Sequence, residues 1–276
     1  MDGTLELTPL GDGVYAWLPP DARTGVANAG VVVDDDGVTV VDTLMVRSQW
    51  APFAAAVAEL GPVRRVVLTH PHVEHVGGTK AFPAAAVYGT GFTSRMLDLP
   101  MPIEAYRRFM PEFADEFDDL AEVGTRAVTH VVSGAATLTP RVEVLPAPGH
   151  TPGDAVVLVA DTDVCFAGGL CSFGVTPQLW QSDPAAWIDV LDVVVDLADV
   201  IVPGHGPVGG EAELRDLQGY LRASVAANGD VAAIAPGPWD TWIDRDRDAI
   251  NVERAALLAR GEDALPPSML KAIGQA

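Results

Sequence analysis

The stretch that most constrains this chain is Thr69-His70-Pro71-His72-Val73-Glu74-His75-Val76-Gly77-Gly78, which packs three histidines and a carboxylate into the segment His70 to His75. It follows directly on the apolar run Val66-Val67-Leu68, so it stands at the end of a buried strand. Alternate residues of an extended segment point the same way, and His70 and His72 can therefore converge on one point. Glu74 and His75 then fall on the turn into a helix, aimed at a neighbouring point. Imidazole nitrogens and carboxylate oxygens are the donors that hold zinc and similar first-row metals, iron and manganese included. A metalloprotease helix needs a glutamate directly after its first histidine, and here that position is Pro71.

The remaining histidines sharpen the reading. Of 6 in the chain, His150 lies in Pro146-Ala147-Pro148-Gly149-His150-Thr151-Pro152-Gly153 and His205 in Val202-Pro203-Gly204-His205-Gly206-Pro207. Both follow short strand-like runs and sit among glycines and prolines, as loops at strand ends do, where chemistry is usually placed. Only His130 is left outside this pattern. Any one of these histidines alone would read as a satisfied core or surface residue. All of them together, in these contexts and this order, predict a metal centre.

At 276 residues the chain is long enough for one large core, and it contains no linker-like, low-complexity or repeated segment. A single domain over 1–276 is expected, with a helical insertion at about 99–123 and a helical C-terminal tail at about 230–276. Lys+Arg 17 against Asp+Glu 38 leaves a formal net charge of -21, a field that repels nucleic acid and anionic membrane surfaces. Cys165 and Cys171 make no disulfide framework and point to a reducing compartment. The start Met1-Asp2-Gly3-Thr4 lacks the basic opening and apolar core of a signal peptide. The long apolar run near residue 190 is broken repeatedly by aspartate, so no segment is expected to span a membrane. A cytoplasmic protein is the expectation.

Strands are predicted at Leu5–Leu7, Val14–Trp17, Val31–Val33 and Val38–Val41, separated by turn formers such as Gly11-Asp12-Gly13 and Asp34-Asp35-Asp36-Gly37. Asp42 closes the last of these, either as a turn former or as a partner to metal ligands. A helix capped by Ser48 is expected over 48–60, then a buried strand over Val63–Leu68. Further strands follow near 128–133, 142–146, 155–160 and 163–167. Between them, Met101, Tyr106, Phe109, Met110, Phe113, Phe117 and Leu120 repeat at helical spacing, with Pro111 dividing two helices. Such a stripe reads as core or as the contact of a homodimer, and alternatively as the wall of an apolar substrate pocket. Asp183-Pro184 opens an amphipathic helix with Asp189, Asp192, Asp196 and Asp199 on a solvated face and Trp187, Ile188, Leu191, Val195 and Ala198 on another. A last strand, Val200–Val202, carries His205, and a helix over 211–226 turns Leu214, Leu217, Leu221 and Val225 inward.

The pattern His70-x-His72-x-Glu74-His75 with His150, His205, Asp42 and Phe166-Ala167-Gly168-Gly169-Leu170 resembles the metallo-β-lactamase superfamily over roughly residues 10–225. The run from Gly168 to Pro207, Gly174-Val175-Thr176-Pro177 included, is similar to an actinomycete branch holding polyketide cyclases with thioesterase activity. Among the 17 basic residues only Lys80 and Lys271 are lysines, which fits a GC-rich source. The resemblance implies an α/β fold, a four-layer αβ/βα sandwich with metals at one edge of two sheets. It implies His70, His72 and His150 as one metal site, and Glu74, His75 and His205 as a second. Two positions depart from the family. Glu74 stands for an aspartate one methylene shorter, and the bridging aspartate falls on Gly169, which has no side chain. One tight zinc and a weak or absent second are therefore expected. Cys171, two residues on, could face the same way, but reads first as a small buried hydrophobe.

The activity expected is hydrolysis of an ester, thioester or lactone on a small-molecule or carrier-bound acyl substrate. The metal would lower the pKa of water enough to supply hydroxide at neutral pH, with Glu74 as a weak second ligand or as the catalytic base. Two other readings stay open: a non-hydrolytic, metal-assisted cyclase or lyase, and a catalytically retired fold that binds a ligand or partner.

Overall fold

Adjacent valines in a strand point to opposite faces, so a strand carrying them in pairs must be covered on both sides. This chain does so in Val31-Val32, Val40-Val41, Val66-Val67 and Val156-Val157, all of which are buried. The computed structural model, which describes residues 6–275, resolves these pairs into layers. The opening residues Met1–Thr4, and Leu5 of the first expected strand, lie outside the described residues.

The first half of the chain comprises β1 (Leu7–Gly11), β2 (Val14–Trp17), β3 (Ala29–Asp34), β4 (Gly37–Val41), α1 (Arg47–Ala58), β5 (Val63–Val67) and the single turn α2 (Val73–Val76). It continues through β6 (Ala86–Thr90), α3 (Gly91–Leu97), α4 (Ile103–Phe109), α5 (Phe117–Val123) and β7 (His130–Val132). The second half holds β8 (Ala136–Thr137), β9 (Val142–Pro146), β10 (Ala155–Val159), β11 (Val164–Ser172), α6 (Pro184–Val195), β12 (Val200–His205) and α7 (Glu211–Ala226). The C-terminal segment carries α8 (Asp248–Ala259) and α9 (Pro267–Ala272).

One sheet runs in the order β1-β2-β3-β4-β5-β6-β7, and the other β12-β11-β10-β9-β8. The pairing is antiparallel from β1 to β4 and parallel from β4 to β7; in the second sheet only β11 and β12 are parallel. Three apolar cores separate the layers. Val31, Val40 and Val66 pack with Phe53 and Val57 of α1. Val32, Val41 and Val67 meet Val142, Val157 and Phe166 between the sheets. Val156 and Cys165 pack with Trp187 and Leu191 of α6 and Leu217 and Tyr220 of α7. The result is the helix–sheet–sheet–helix sandwich.

Several local expectations are corrected. The helix expected to be capped by Ser48 starts one residue earlier. Its cap position is Val46, where Gln49 Oε1 accepts from the N–H groups of Met45 and Val46 at 3.2 and 3.4 Å. Ser48 instead donates its hydroxyl to Glu116, 2.7 Å away on the 99–123 segment. Val225 is 41% exposed rather than inward, and the inner face of α7 is completed by Tyr220, Gln218 and Ser224. The helix from Pro184 ends at Val195, so Asp196 and Asp199 lie beyond it. Its first turn is capped by Asp183, which accepts from Ala185 and Ala186. The strand expected over 163–167 runs on to Ser172, its register against β12 shifting on either side of Gly168, which pairs with Pro203, before Ser172 pairs with His205.

Candidate metal centre

The ends of β4, β5, β11 and β12 and the loop between β9 and β10 meet at one edge of the sandwich. Asn28 staples that edge, donating from Nδ2 to the carbonyls of Pro203 and Gly206 at 2.9 and 2.8 Å. Gly77 and Gly78 let α2 press against the 43–45 segment: a Cβ at either would lie 2.1 Å from the carbonyl oxygen of Met45 or Thr43. His75 is brought home by the same approach, since Thr43 N–H donates to its carbonyl at 2.7 Å.

Five histidines gather here, and second contacts decide which nitrogen of each faces inward. Asp42, buried and held at φ 59°, accepts from Thr69 N–H at 2.8 Å and from the Thr69 hydroxyl at 2.7 Å. His75 Nδ1–H donates to the same carboxylate at 2.7 Å. The Thr69 hydroxyl has spent its hydrogen on Asp42, so at 3.0 Å from His70 Nδ1 it can only accept. His70 and His75 are thereby fixed as Nδ1–H tautomers with bare Nε2 atoms, and both Nε2 atoms are buried without a partner. His205 follows the same rule, donating from Nδ1 to the Val26 carbonyl at 3.1 Å. His72 is reversed: its Nε2–H donates to Gln181 Oε1 at 3.0 Å, leaving Nδ1 bare and 3.0 Å from His150 Nε2. Two nitrogens on a tetrahedral metal with bonds of 2.0–2.1 Å stand about 3.3 Å apart, close to this separation.

Electrostatics agree with that assignment. Burial, reinforced by the surrounding imidazoles, holds His70 and His150 well below the usual histidine range. Burial also lowers His72 and His205. It opposes charge on His75 too, but there Asp42 outweighs it and the pKa rises. Burial favours the acid form of Glu74, yet His72, His75 and His205 keep its pKa below the usual carboxylate value. Neutral imidazoles at His70, His72, His150 and His205 and a carboxylate at Glu74 are the protonation states that metal ligation requires, and His75 departs from them because Asp42 favours its charged form.

The donor atoms fall into three groups, each with members within 4.8 Å of one another: His70/His72/His150, Glu74/His75/His205 and Asp42/His70/His75. The first two are the sets expected from the sequence. The third is better read as support, because Asp42 is already occupied by Thr69 and His75. Glu74 Oε1 stands 4.0 Å from His205 Nε2. His130, the sixth histidine, is exposed on β7 and stacks on Tyr88, outside the cluster. Gly169 faces the cluster directly: a Cβ there would lie 2.6 Å from His70 Cε1 and 2.7 Å from His150 Cδ2. Cys171 is buried with Trp187 and Leu191 in the outer core, and burial raises its thiol pKa well above the ordinary value.

Four more residues contribute: Gln181 and Trp180, which carry no signal that marked them in advance, Asp154, and Tyr106 of the aromatic stripe. Gln181 orients His72 from 109 positions away, and Trp180 stacks on the same ring at 5.1 Å. Asp154 shapes the His150 loop by accepting from Gly149 N–H, Thr151 N–H and the Thr151 hydroxyl at 3.1, 2.8 and 2.6 Å. Burial nonetheless pushes its pKa up to about 7. An aspartate four residues after a loop histidine is a loop-closing pattern, and could have been read as such. Tyr106 has its hydroxyl pKa raised by burial and by nearby Glu74.

The loop bearing Trp180 and Gln181 is anchored by α8. Asn251 accepts from Leu179 N–H at 3.0 Å and donates to the Pro177 carbonyl at 2.8 Å, while Arg254 Nε donates to the Ser182 carbonyl at 3.0 Å. Replacing Gln181 with Leu is expected to free the His72 ring and weaken any metal binding there by about tenfold to a hundredfold. Competition against a chromophoric chelator measures this. An unchanged affinity would mean that stacking on Trp180 alone sets the ring.

Residues 22–205 match the sequence family described as the metallo-beta-lactamase superfamily. The chain belongs to that superfamily. Metallo-beta-lactamase domain-containing protein 1 from Xenopus laevis is 30% identical over 183 residues, covering 64% of this chain and 66% of that protein. Its human counterpart by name is 33% identical over 154 residues, covering 53% and 48%. A linear primary-alkylsulfatase from a Pseudomonas species is 24% identical over 239 residues, covering 72% and 44%. The chain thus spans between 44% and 66% of the length of these curated relatives. Among solved structures, metallo-beta-lactamase FIM-1 from Pseudomonas aeruginosa, in a mono-zinc form, has a TM-score of 0.59 at 20% identity, covering 78% of this chain and 94% of that one. A metallo-beta-lactamase from Hirschia baltica also scores 0.59, at 19% identity, covering 78% and 96%. At such identities the likeness speaks for the fold alone. Superfamily membership and the histidine cluster together support a metal-dependent hydrolase-type function. Among the described residues no helix is long and apolar enough to cross a membrane.

Proposed function

We propose that this protein hydrolyses an ester, thioester or lactone of an apolar acyl group, free or carrier-bound, with zinc held by His70, His72 and His150. The observation that carries the reading is a pair of cavities with a shared wall. A small cavity of about 20 Å3 is bounded by His150, Gly169 and His205 among others, room enough for a single small occupant. An apolar cavity of about 340 Å3 adjoins it, and His72, Glu74 and Gln178 line both. A metal centre opening onto an apolar chamber through a carboxylate is what hydrolysis of an apolar acyl substrate needs.

When bound, zinc supplies Lewis acidity that polarises a carbonyl and lowers the pKa of water to about 7. The protein does the rest. Gln181, Thr69 and Asp42 keep the ring nitrogens aimed, so no reorganisation is needed as charge develops. Glu74, ionised and at the shared wall, takes the proton of the attacking water on a carboxylate oxygen. The apolar chamber keeps the acyl chain out of water and fixes the carbonyl at the shared wall. Glu74, His75 and His205 form a weaker second group, since Gly169 offers no oxygen to join it to the first. The mono-zinc form of the FIM-1 neighbour supports one metal as a workable state on this fold.

Zinc-loaded protein assayed on aryl esters, acyl thioesters and lactones is the test. Turnover that disappears with a chelator and returns with zinc is the expected outcome. Failure to hydrolyse any member of the panel would remove the reading.

A further inference from the structure

Resting on that hydrolase reading, we infer that the acyl group is a flexible, uncharged alkyl chain of medium length, and that Met269 and Ile273 are its specificity-determining contacts. The residues that line both cavities, His72, Glu74 and Gln178, mark the reacting end of the substrate. Met269 and Ile273, at and just after α9, line only the apolar cavity and so touch the chain rather than the carbonyl. Across from them stand α3, α4 and the segment joining them, with Met96, Met101 and Phe109. The two walls are tied together where Arg108 Nη1 donates to the Gly274 carbonyl at 3.2 Å.

Three properties of this chamber define its occupant. Four of the 6 methionines of the chain, Met96, Met101, Met110 and Met269, line it. Methionine is unbranched and adaptable, and it moulds to a flexible chain better than to a rigid ring system. Among the described residues that line the chamber there is no lysine or arginine, and Glu74 is the sole carboxylate. An anionic group at the distal end of the chain would be desolvated there without a cationic partner. Finally, about 340 Å3 holds roughly ten groups of methylene size, taking a water's share of liquid volume, about 30 Å3, as the unit.

The chain-length profile of zinc-loaded protein on p-nitrophenyl esters tests this. kcat/KM is expected to rise by roughly fourfold per methylene, from the burial free energy of a CH2 group, and to stop rising near ten carbons. A ten-carbon ester ending in a carboxylate should lose at least about a hundredfold against its methyl-ended counterpart. Met269→Trp and Ile273→Trp should each move the optimum about two carbons shorter, while zinc content stays at the wild-type value. A flat or falling profile, equal use of the carboxylate-ended ester, or an optimum unmoved in both variants overturns the inference. If the protein cleaves no ester at all, the hydrolase reading has failed, and calorimetry with 1-decanol decides the chamber separately. Binding that Met269→Trp weakens tenfold or more keeps the chain inference alone, and absence of binding ends it. Hydrolysis of decyl sulfate without any hydrolysis of decanoyl esters would retain the alkyl chamber and overturn the acyl assignment.

Discussion

If His70, His72 and His150 hold zinc for hydrolysis as proposed, protein carrying His72→Ala is expected to keep its fold, lose that zinc and lose on the order of a thousandfold in turnover, several kcal/mol of transition-state stabilisation at about 1.4 kcal/mol per decade. Of the three proposed ligands His72 is the most exposed to such a change and the least woven into the core. It is half-buried, and its ring is held by Gln181 and Trp180 rather than by the Asp42 network. Removing it leaves His70 and His150 as two ligands, too few for a catalytic zinc arrangement of three protein donors and an open position. His205→Ala is the contrasting variant. His205 belongs with Glu74 and His75, and its own anchor is the Val26 carbonyl, so the tight zinc should remain at one equivalent per chain. Elemental analysis after dialysis, beside circular dichroism to check the fold, reads both variants. Loss of zinc in His205→Ala would show the two groups to be one coupled site.

The second large effect is expected at Gly169. The position looks like a place where a bridging carboxylate could simply be restored, but the space is taken. A Cβ at residue 169 falls 2.6 Å from His70 Cε1 and 2.7 Å from both His70 Nε2 and His150 Cδ2. Those atoms belong to rigid rings, one tethered through Thr69 to Asp42, so relief requires moving the ligands themselves. Displacements near 1 Å cost about a hundredfold when catalytic geometry is tight. Gly169→Ala, which adds a methyl and no donor, should therefore weaken tight zinc binding and lower turnover by roughly a hundredfold. Gly169→Asp should do no better, because its carboxylate arrives by way of the same Cβ. Zinc titration of the two variants separates the steric effect from the added charge. Two tightly bound zinc ions in Gly169→Asp would refute this view of the cavity and restore the bridged, two-metal arrangement.

Much of this protein is legible in its sequence because the relevant physics is local. A strand alternates its side chains with a period of two, so the valine pairs announce strands covered on both faces. The His70-x-His72 spacing announces two donors on one side of a chain end. Glycine and proline around His150 and His205 mark them as loops at strand ends, and the break at Pro111 divides two short turns of helix. The aromatic stripe over 99–123 is partly legible. Phe117 and Leu120 enter a buried cluster with Met45 and Val73, while Phe109 also lines the apolar cavity, so core and pocket wall are both correct for different residues. Ser48 misleads because a good capping residue predicts a cap only when no neighbour competes, and Gln49 reaches the free N–H groups first.

What the tertiary structure alone decides is which atom of each functional residue does the work. Histidine has two ring nitrogens, and nothing in the pattern of residues says which one is bare. That choice rests with Asp42, with Thr69, with Val26 and with Gln181, the last 109 positions from the ring it orients. The chamber is of the same kind, since its walls come from residues near 100 and near 270 and exist only once the C-terminal helices have docked. Sequence spacing determines the direction in which a side chain leaves the backbone. Tautomer, ring orientation and cavity shape are set by contacts between segments whose separation along the chain bears no relation to their distance in space.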